Sequence, residues 1–330
     1  MCSLAAAATP LAAQYPLAPS PVIPFAGLSP RPTLTGYATA RATYRDDTLT
    51  FTVTRARLTL QVLPIPFAAL RVQADFSAIG RARGDTLPAT LLTDAFIELM
   101  PQDTSVRAVA MLRPVVLIGQ FRTPFSMEYL TSSTQVPTVN RSQVVDRLAS
   151  RRDLGALAQV SVSRFATLTG AVVNGEGPNR TGNSNGKLMT IGRLTVLTHP
   201  SLAVSGKWLG HGADHRWGSD VRWVTGKLIV EGEVIAQRAP GDSASTFDGS
   251  GGYALVAYKV RPWLQSVVKW ERLRETSTAP LARTERRLTW VTYGANLMAP
   301  GGGLRFQLAW IVKSALSSNA ELVGQLQLVF

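Results

Sequence analysis

The sequence contains very little cysteine, since its only one is Cys2, close to the first residue of the chain. A disulfide framework needs pairs of cysteines and a cysteine-based metal site needs several, so both are excluded. A chain without cysteine beyond position 2 suits passage through an oxidising compartment such as the bacterial periplasm, where free thiols would cross-link.

Long hydrophobic runs are also missing. No stretch reaches eighteen apolar residues, although 45% of the 330 residues are hydrophobic. The sequence therefore predicts no transmembrane helix. It leaves open a β-barrel, which crosses a membrane without such a run because only alternate residues of each strand face lipid.

Motifs of catalysis and cofactor binding are missing as well. The sequence has no nucleophile elbow, phosphate-binding loop or dinucleotide fingerprint. The segment GHGADH brings His211, Asp214 and His215 together, but a glycine-rich loop does not aim them at one metal ion. Glu231 and Glu233 share a strand face, where a cavity wall explains them more simply than acid–base chemistry. The sequence predicts no enzyme, no cofactor and no metal site.

Acidic residues are few in comparison with basic ones. Lys and Arg number 34 against 21 Asp and Glu, which gives a net charge of +13. A nucleic-acid interface usually concentrates its charge on one helix or arm, whereas these charges are spread along the whole chain. We expect no nucleic-acid partner and instead a polar cavity whose field favours anions.

Two segments precede the regular part of the sequence. Residues 1–13 (MCSLAAAATPLAA) are typical of the end of a secretory signal peptide. They lack its positively charged start, so we expect the true start to lie upstream; the alternative is that the segment is no signal. Residues 14–32 contain six prolines and predict an extended linker, because proline cannot pair inside a sheet.

From residue 33 to residue 330 the dominant period is two, which predicts β-strands. We count sixteen candidate strands, from 33–45 to 319–330, with a helical pattern only within 140–151. Tight joints alternate with long polar segments, which we place at 79–91, 122–153, 175–186, 239–251 and 275–285. Short turns on one rim and long loops on the other are typical of a transmembrane antiparallel β-barrel, whose even strand number puts both termini on the short-turn rim.

The last twelve residues, NAELVGQLQLVF, predict the strand that closes this barrel. Apolar side chains such as Leu326 and Leu328 alternate with polar ones such as Gln327, and the chain stops on Phe330. A terminal strand of this kind resembles the signal that the bacterial barrel-insertion machinery reads, so we expect that machinery as a partner and the bacterial outer membrane as the location. The alternative is an ordinary amphipathic edge strand.

One block of sequence resembles a known family. GQFRTPFSMEYLTSS at 119–133 opens the longest loop, and SRRDLGA follows at 150–156. This pair is similar to the phosphate-selective porin O and P family, and further similar pieces are TRARLTL at 54–60, DAFIEL at 94–99, TYGANL at 292–297 and LRFQLAW at 304–310. The resemblance implies a homotrimeric, sixteen-stranded porin over residues 33–330 whose third loop, 122–153, folds inward and constricts the pore.

Arginine dominates this predicted constriction. Segment 122–153 has five arginines and three carboxylates, a net charge of +2 (five minus three). The planar arginine fork holds oxyanions well, and a charged ring selects ions by an electrostatic barrier. The candidate pore-lining, anion-binding residues are Arg55, Arg57, Arg71, Arg122, Arg141, Arg147, Arg151, Arg152, Arg193, Lys207, Arg222, Lys269 and Arg305. For each one, an ion pair with a carboxylate across the cavity is an equal alternative.

These patterns together predict passive diffusion of small hydrophilic solutes with a bias toward anions, phosphate or other oxyanions among them. The six lysines of the chain are spread along the sequence and do not reproduce the lysine cluster of the family. Two alternatives remain open at this point. One is a secreted, soluble β-rich binding protein. The other is a barrel with a filled interior and an enzymatic or structural role.

Overall fold

The structure is a computed structural model that describes residues 17–22, 30–78, 91–100, 112–241, 245–279, 282–314 and 320–330. The predicted signal segment 1–13 and most of the loop predicted at 79–91 therefore lie outside the described residues. No helix in the described ranges is long and apolar enough to span a membrane.

Sixteen antiparallel strands form one closed barrel, as the sequence pattern predicts. They are β1 Thr33–Arg45, β2 Thr48–Ile65, β3 Ala68–Asp75, β4 Leu92–Leu99, β5 Val115–Arg122, β6 Arg152–Ser163, β7 Ala166–Val173, β8 Met189–His199, β9 Leu202–His211, β10 Asp214–Thr225, β11 Leu228–Pro240, β12 Thr246–Arg261, β13 Leu264–Ala279, β14 Ala282–Met298, β15 Leu304–Ser314 and β16 Ala320–Val329. Each strand pairs with its neighbour in sequence.

The two ends of the chain close the barrel. Strand β16 pairs with β1 from Tyr37↔Val329 to Tyr44↔Leu322. Beyond the last strand residue, Phe330 N–H donates to the Gly36 carbonyl at 3.0 Å and the Phe330 carbonyl accepts from Gly36 N–H at 2.9 Å. Closure satisfies the backbone groups that an open sheet edge would expose to lipid. The terminal segment is therefore the closing strand.

The long-loop rim differs from the sequence prediction at two places. Segment 239–251 is largely strand, because β12 already begins at Thr246, and segment 275–285 is nearly all strand in β13 and β14. Residues such as Thr276 and Thr278 are β-branched and suit a strand although they are polar. The pairing continues outward to Ala279↔Ala282, so these strands extend beyond their apolar part.

Side chains alternate between the outer and inner faces of the barrel. On β15 the outward Trp310 is 52% exposed, whereas the inward Gln307 is 1% exposed. The inner face also carries an apolar patch with Ile229, Leu255 and Val267, which the sequence prediction of a polar interior missed. Tyr37 on β1 also faces inward, where it is buried beside Arg57.

The loop between β5 and β6 lies inside the barrel. Residues 123–151, here called the folded-in loop, contain two short helices, α1 Met127–Leu130 and α2 Gln143–Leu148. Ser126 and Ser142 cap them through side-chain oxygens that accept hydrogen bonds from backbone N–H groups. Helix α2 confirms the helical pattern predicted within 140–151.

The apolar face of α2 explains the apolar patch on the wall. Val144, Val145 and Leu148 are completely buried and pack with the inward apolar side chains. Strand β12 makes room for them with glycine, since a Cβ on Gly249 would approach Leu148 Cδ2 to 2.6 Å. Removing this face from water favours the docked position of the loop.

Part of the predicted proline-rich linker also contacts the inner face. Leu17 and Val22 pack against the apolar patch, and Ser20 Oγ donates to Gln159 Oε1 on β6 at 2.7 Å. Residues 17–22 therefore run along the inner side of the wall.

Candidate functional site

The inner wall formed by β8 to β11 carries charges that compensate one another. Arg193 on β8 lies 2.7 Å from Asp220 on β10, and Lys207 on β9 bridges Asp220 at 3.1 Å and Glu233 on β11. Two cations face two carboxylates, so this group adds no net charge to the interior. Such buried pairs persist only when hydrogen bonds satisfy their remaining atoms.

The folded-in loop supplies those hydrogen bonds. Glu233 Oε2 accepts from Ser126 Oγ at 3.0 Å and from Glu128 N–H at 3.2 Å. Arg193 donates to the Phe125 carbonyl at 3.3 Å, and the Lys207 ammonium lies 5.5 Å from the centre of the Phe125 ring. The start of α1 is therefore fixed to the wall by charged groups that are neutralised in pairs.

A second buried pair holds the end of α1. Arg222 on β10 lies 2.7 Å from Glu231 on β11 and donates to Thr131 Oγ1 at 2.8 Å. Its side chain is 1% exposed. Arg222 therefore acts between wall and loop rather than in a water-filled passage.

Glu128 is the acidic residue at the centre of the loop. Its Oε2 accepts from Ser142 N–H at 2.8 Å, and its Oε1 lies 3.9 Å from Lys269 Nζ on β13. Burial raises the pKa of Glu128 to about 8, although Lys269, the Ser142 N–H and Arg141 act in the opposite direction. Glu128 thus ties the two helices of the loop together at a site whose charge changes near neutral pH.

Helix α2 is held at both ends. At its start the Gln143 N–H donates to Glu271 Oε2 at 2.7 Å, and at its end Arg216 donates to the Leu148 carbonyl at 2.9 Å. Arg147 pairs with Glu275 at 3.0 Å. A carboxylate at the start of a helix and a cation at its end match the polarity of the backbone groups there.

The middle of the loop is fixed to the opposite part of the wall. Asn296 on β14 and Gln307 on β15 donate to the Pro137 carbonyl at 2.8 and 3.1 Å. Arg305 on β15 donates to the Ser133 carbonyl at 3.5 Å. The loop therefore has wall contacts from β8 round to β15.

Near β1, β2 and β5 most charges are positive, although Asp94 is an electrostatic neighbour of Arg122 and Glu321 is one of Arg41. Arg41 donates to the Val139 carbonyl at 2.7 Å, Arg122 to the Leu130 carbonyl at 2.9 Å and Arg141 to the Thr131 carbonyl at 2.8 Å. The side chain of Arg55 on β2 forms no hydrogen bond or ion pair with any described residue, and Arg141 and Arg41 are among its electrostatic neighbours. We call Arg41, Arg55, Arg122 and Arg141 the inner arginine cluster. In the described part of the chain none of them has a carboxylate within ion-pair distance.

Three arginines beside the cluster have carboxylate partners. Arg57 lies 2.7 Å from Asp75, while Arg71 and Arg152 lie 3.3 and 2.7 Å from Asp94. They therefore add less positive field than the members of the cluster.

The predicted site residues thus occupy different environments. Arg55, Arg122 and Arg141 are partly exposed in the interior without a carboxylate partner. Arg151 is exposed on the loop, where it donates to the Asp146 carbonyl. The residues that pair with carboxylates or fix the loop are Arg57, Arg71, Arg147, Arg152, Arg193, Lys207, Arg222, Lys269 and Arg305. Arg41 was not selected from the sequence, although its alternation with Ala40 and Ala42 places it on the inner face.

Comparison with known proteins supports the fold and the family. Residues 36–196 match the family described as phosphate-selective porin O and P. This range contains the block at 119–156 on which the predicted resemblance depended, so that resemblance is confirmed. No curated protein matches the chain.

Solved porin structures share the fold at very low sequence identity. A loop L8 deletion mutant of OmpT from Vibrio cholerae is 9% identical with a TM-score of 0.67, over 91% of this chain and 99% of that one. An anion-selective porin from Comamonas acidovorans is 10% identical with a TM-score of 0.63, over 91% and 99%. OmpF from Salmonella typhi is 9% identical with a TM-score of 0.64, over 91% and 97%.

Structural similarity at such low sequence identity establishes the barrel fold alone. The family match adds the functional class, which is that of channels rather than enzymes. The chain is therefore a bacterial outer-membrane β-barrel porin related to the phosphate-selective porin O and P family.

Proposed function

We propose that this porin conducts small hydrophilic solutes passively and favours anions, because they pass the inner arginine cluster. The observation that carries the proposal is the set of four arginines, Arg41, Arg55, Arg122 and Arg141, whose hydrogen bonds go to neutral groups or are absent. Within the described residues their four positive charges have no ion-pair partner. Anions gain energy at such a site, whereas cations meet a barrier.

The position of the folded-in loop supports this path. Hydrogen bonds and ion pairs hold the loop against β8 to β15, so the loop occupies that side of the interior. On the β2 side, the Arg55 side chain forms no bond to the loop in the described structure. Because Arg41 on β1 and Arg122 on β5 are also bonded to the loop, solutes would pass between the loop and the wall of β2 to β4, beside Arg55. The backbone carbonyls that hold Arg122 and Arg141 keep the two guanidinium groups in place before an anion arrives.

Oxyanions are the solute class that this cluster suits best. Guanidinium groups bind phosphate and carboxylate oxygens through pairs of parallel hydrogen bonds. Phosphate and other small oxyanions are proposed as solutes on this chemistry and on the family match. The Comamonas acidovorans protein of the same fold is described as anion-selective.

Two partners belong to the same proposal. A trimer is supported by the fold, since OmpT of Vibrio cholerae has been solved in a trimer form, and by an apolar groove of about 510 Å³ on the outer face at Ala42, Phe51 and Gly324. Recognition of Phe330 by the barrel-insertion machinery rests on the terminal strand. Native mass spectrometry in detergent tests the trimer; a monomer alone would contradict it.

Single-channel recording in a planar bilayer tests the function. The chain from residue 14 onward is refolded in detergent and added under a KCl gradient. We expect conductance steps and a reversal potential that shows preference for chloride, and phosphate is expected to reduce the chloride current by competition. Insertion without conductance would contradict a porin. Steps with cation preference would contradict the role of the cluster.

A further inference from the structure

A second group of arginines lies outside the barrel, at the long-loop end of β10 to β14. On β13 the outward positions run from Val268 through Trp270 to Arg272 and Arg274, while Lys269 and Glu271 between them are buried inside. The outer face therefore changes from apolar to basic within two residues of Trp270. The sequence pattern did not single out these arginines as a site.

The strand register gathers further arginines at the same end. Arg274 pairs in register with Arg287 on β14 and with Ser250 on β12, and Arg283 pairs with Thr278. On β11 the outward Arg238 pairs with Asp248. Between these strands lies a groove of about 560 Å³, with Trp217 and Arg238 on one side, Ser250 at its base and Arg274 and Arg283 on the other side.

The charge of this outer arginine groove is only partly compensated. The groove is lined by three arginines, Arg238, Arg274 and Arg283, and one carboxylate, Asp248, which leaves +2 (three minus one). Arg272, Arg287 and Glu285 lie on the same outer face beside the groove. Glu285 pairs with both Arg274 at 2.8 Å and Arg287, and Asp248 lies 3.2 Å from Arg238. The side chains of Arg272 and Arg283 form no hydrogen bond or ion pair in the described part of the chain.

The depth of these arginines in the bilayer determines the free-energy cost of facing lipid. An arginine that faces lipid costs roughly 2–4 kcal/mol at the bilayer midplane and about 0–1 kcal/mol near the interface. The arginines directly follow the apolar band at Trp270, and tryptophan prefers the interface. The long-loop rim of such barrels is extracellular, so the groove lies beside the headgroups of the outer leaflet.

We propose that the outer arginine groove binds the phosphate-bearing headgroup of an outer-leaflet lipid. Arginine pairs with phosphate oxygens bidentately, and basic side chains near a membrane surface attract anionic lipid. Trp217 supplies an apolar wall at the rim, and the small Ser250 leaves room for the headgroup. The groove faces away from the pore, so this role does not depend on anion conduction.

Binding of a lipid of defined headgroup to the full chain in detergent tests this role. The probe is bis-phosphorylated lipid A, compared with the same lipid after removal of its phosphates, and the readout is the dissociation constant from native mass spectrometry. The variant Arg274→Gln/Arg283→Gln removes two of the three arginines that line the groove. Each arginine near a membrane surface contributes about fivefold, so we expect roughly 25-fold weaker binding.

The matched control removes two exposed arginines at the short-turn rim, Arg164→Gln/Arg261→Gln, with the same change of net charge. It is expected to bind phosphorylated lipid as the unmodified chain does. Equal weakening in both variants, or equal binding of the dephosphorylated lipid, would overturn the proposal. Displacement of the lipid by millimolar inorganic phosphate would overturn the lipid as the occupant. Conductance should be the same in both variants, which separates this test from that of the pore.

Discussion

Arg55 on β2 and Arg141 on the folded-in loop are two like charges brought together across the barrel interior, and neither has an ion-pair partner in the described structure. Like charges in one place cost free energy unless something compensates them. A structural role would place a carboxylate between them, as Asp94 lies between Arg71 and Arg152. The arrangement therefore favours a mobile anion as the compensating charge.

Removal of the Arg55 charge should reduce anion selectivity without unfolding the barrel. A unit charge at 4 Å contributes about 1 kcal/mol in water and about 4 kcal/mol at an effective dielectric constant of 20. We therefore expect Arg55→Gln to lower the chloride-to-potassium permeability ratio at least about fivefold. The reversal potential in a KCl gradient measures this.

Arg164→Gln is the control for that experiment, because Arg164 is exposed at a short turn and lies over the Phe165 ring outside the interior. It should leave the reversal potential unchanged. If Arg55→Gln conducts with the selectivity of the unmodified chain, the inner arginine cluster is not the selective site.

The buried pair of Arg222 and Glu231 should matter for stability rather than for selectivity. Its atoms lie 2.7 Å apart and both side chains are almost completely buried. Removal of one partner leaves an uncompensated charge, which costs about 3–5 kcal/mol. We expect Glu231→Ala to lower the free energy of unfolding in detergent by about that amount.

The double variant Arg222→Met/Glu231→Leu should recover much of the loss, because apolar residues of similar size can replace a buried pair. Urea unfolding followed by tryptophan fluorescence measures both. A single variant as stable as the unmodified chain would show that the pair is solvated.

Loss of the contact between α2 and β12 should undock the folded-in loop from the wall and so widen the passage. A valine at position 249 would collide with Leu148 on the loop, since even a Cβ there would lie 2.6 Å from Leu148 Cδ2. We expect Gly249→Val to raise single-channel conductance and lower anion selectivity. The matched control is Gly192→Val on β8, where an added Cβ meets nothing within 4 Å. Unchanged conductance in Gly249→Val would contradict a constricting role for the loop.

Docking of the loop should depend on pH through Glu128. Burial raises the pKa of Glu128 from 4.5 to about 8 in the docked loop. An undocked, solvated loop would keep the lower value, so the docked state binds the proton more tightly. The stability that the protonated Glu128 gives to the docked state is complete below pH 4.5 and is lost as the pH rises through about 8.

Conductance should therefore become noisier, with more frequent openings to a larger level, as the pH rises from about 5 to about 8. The variant Glu128→Gln cannot ionise and should show no such change. A pH dependence that survives in Glu128→Gln would assign the effect to another group.

The barrel could be predicted from the sequence alone. Alternation of period two, as on β15 from Leu304 to Ser314, fixes which side chains face lipid, because successive strand residues point to opposite faces. The terminal Phe330 and the block at 119–133 indicated closure and family, and the helical pattern within 140–151 indicated α2. These signals are local, so they can be read without knowledge of distant residues.

Which inward arginines have a compensating carboxylate depends on how distant parts of the chain come together in space. Arg55 and Arg57 lie two residues apart with the same facing, yet Arg57 forms an ion pair with Asp75 on the next strand, whereas Arg55 has Arg141 on the loop as an electrostatic neighbour. Their partners depend on strand register and on the docking of the folded-in loop, both of which join residues far apart in the chain. The same holds outside, where register alone gathers Arg238, Arg274 and Arg283 into one groove. Coulomb energy depends on distance in space, which the order of residues does not give.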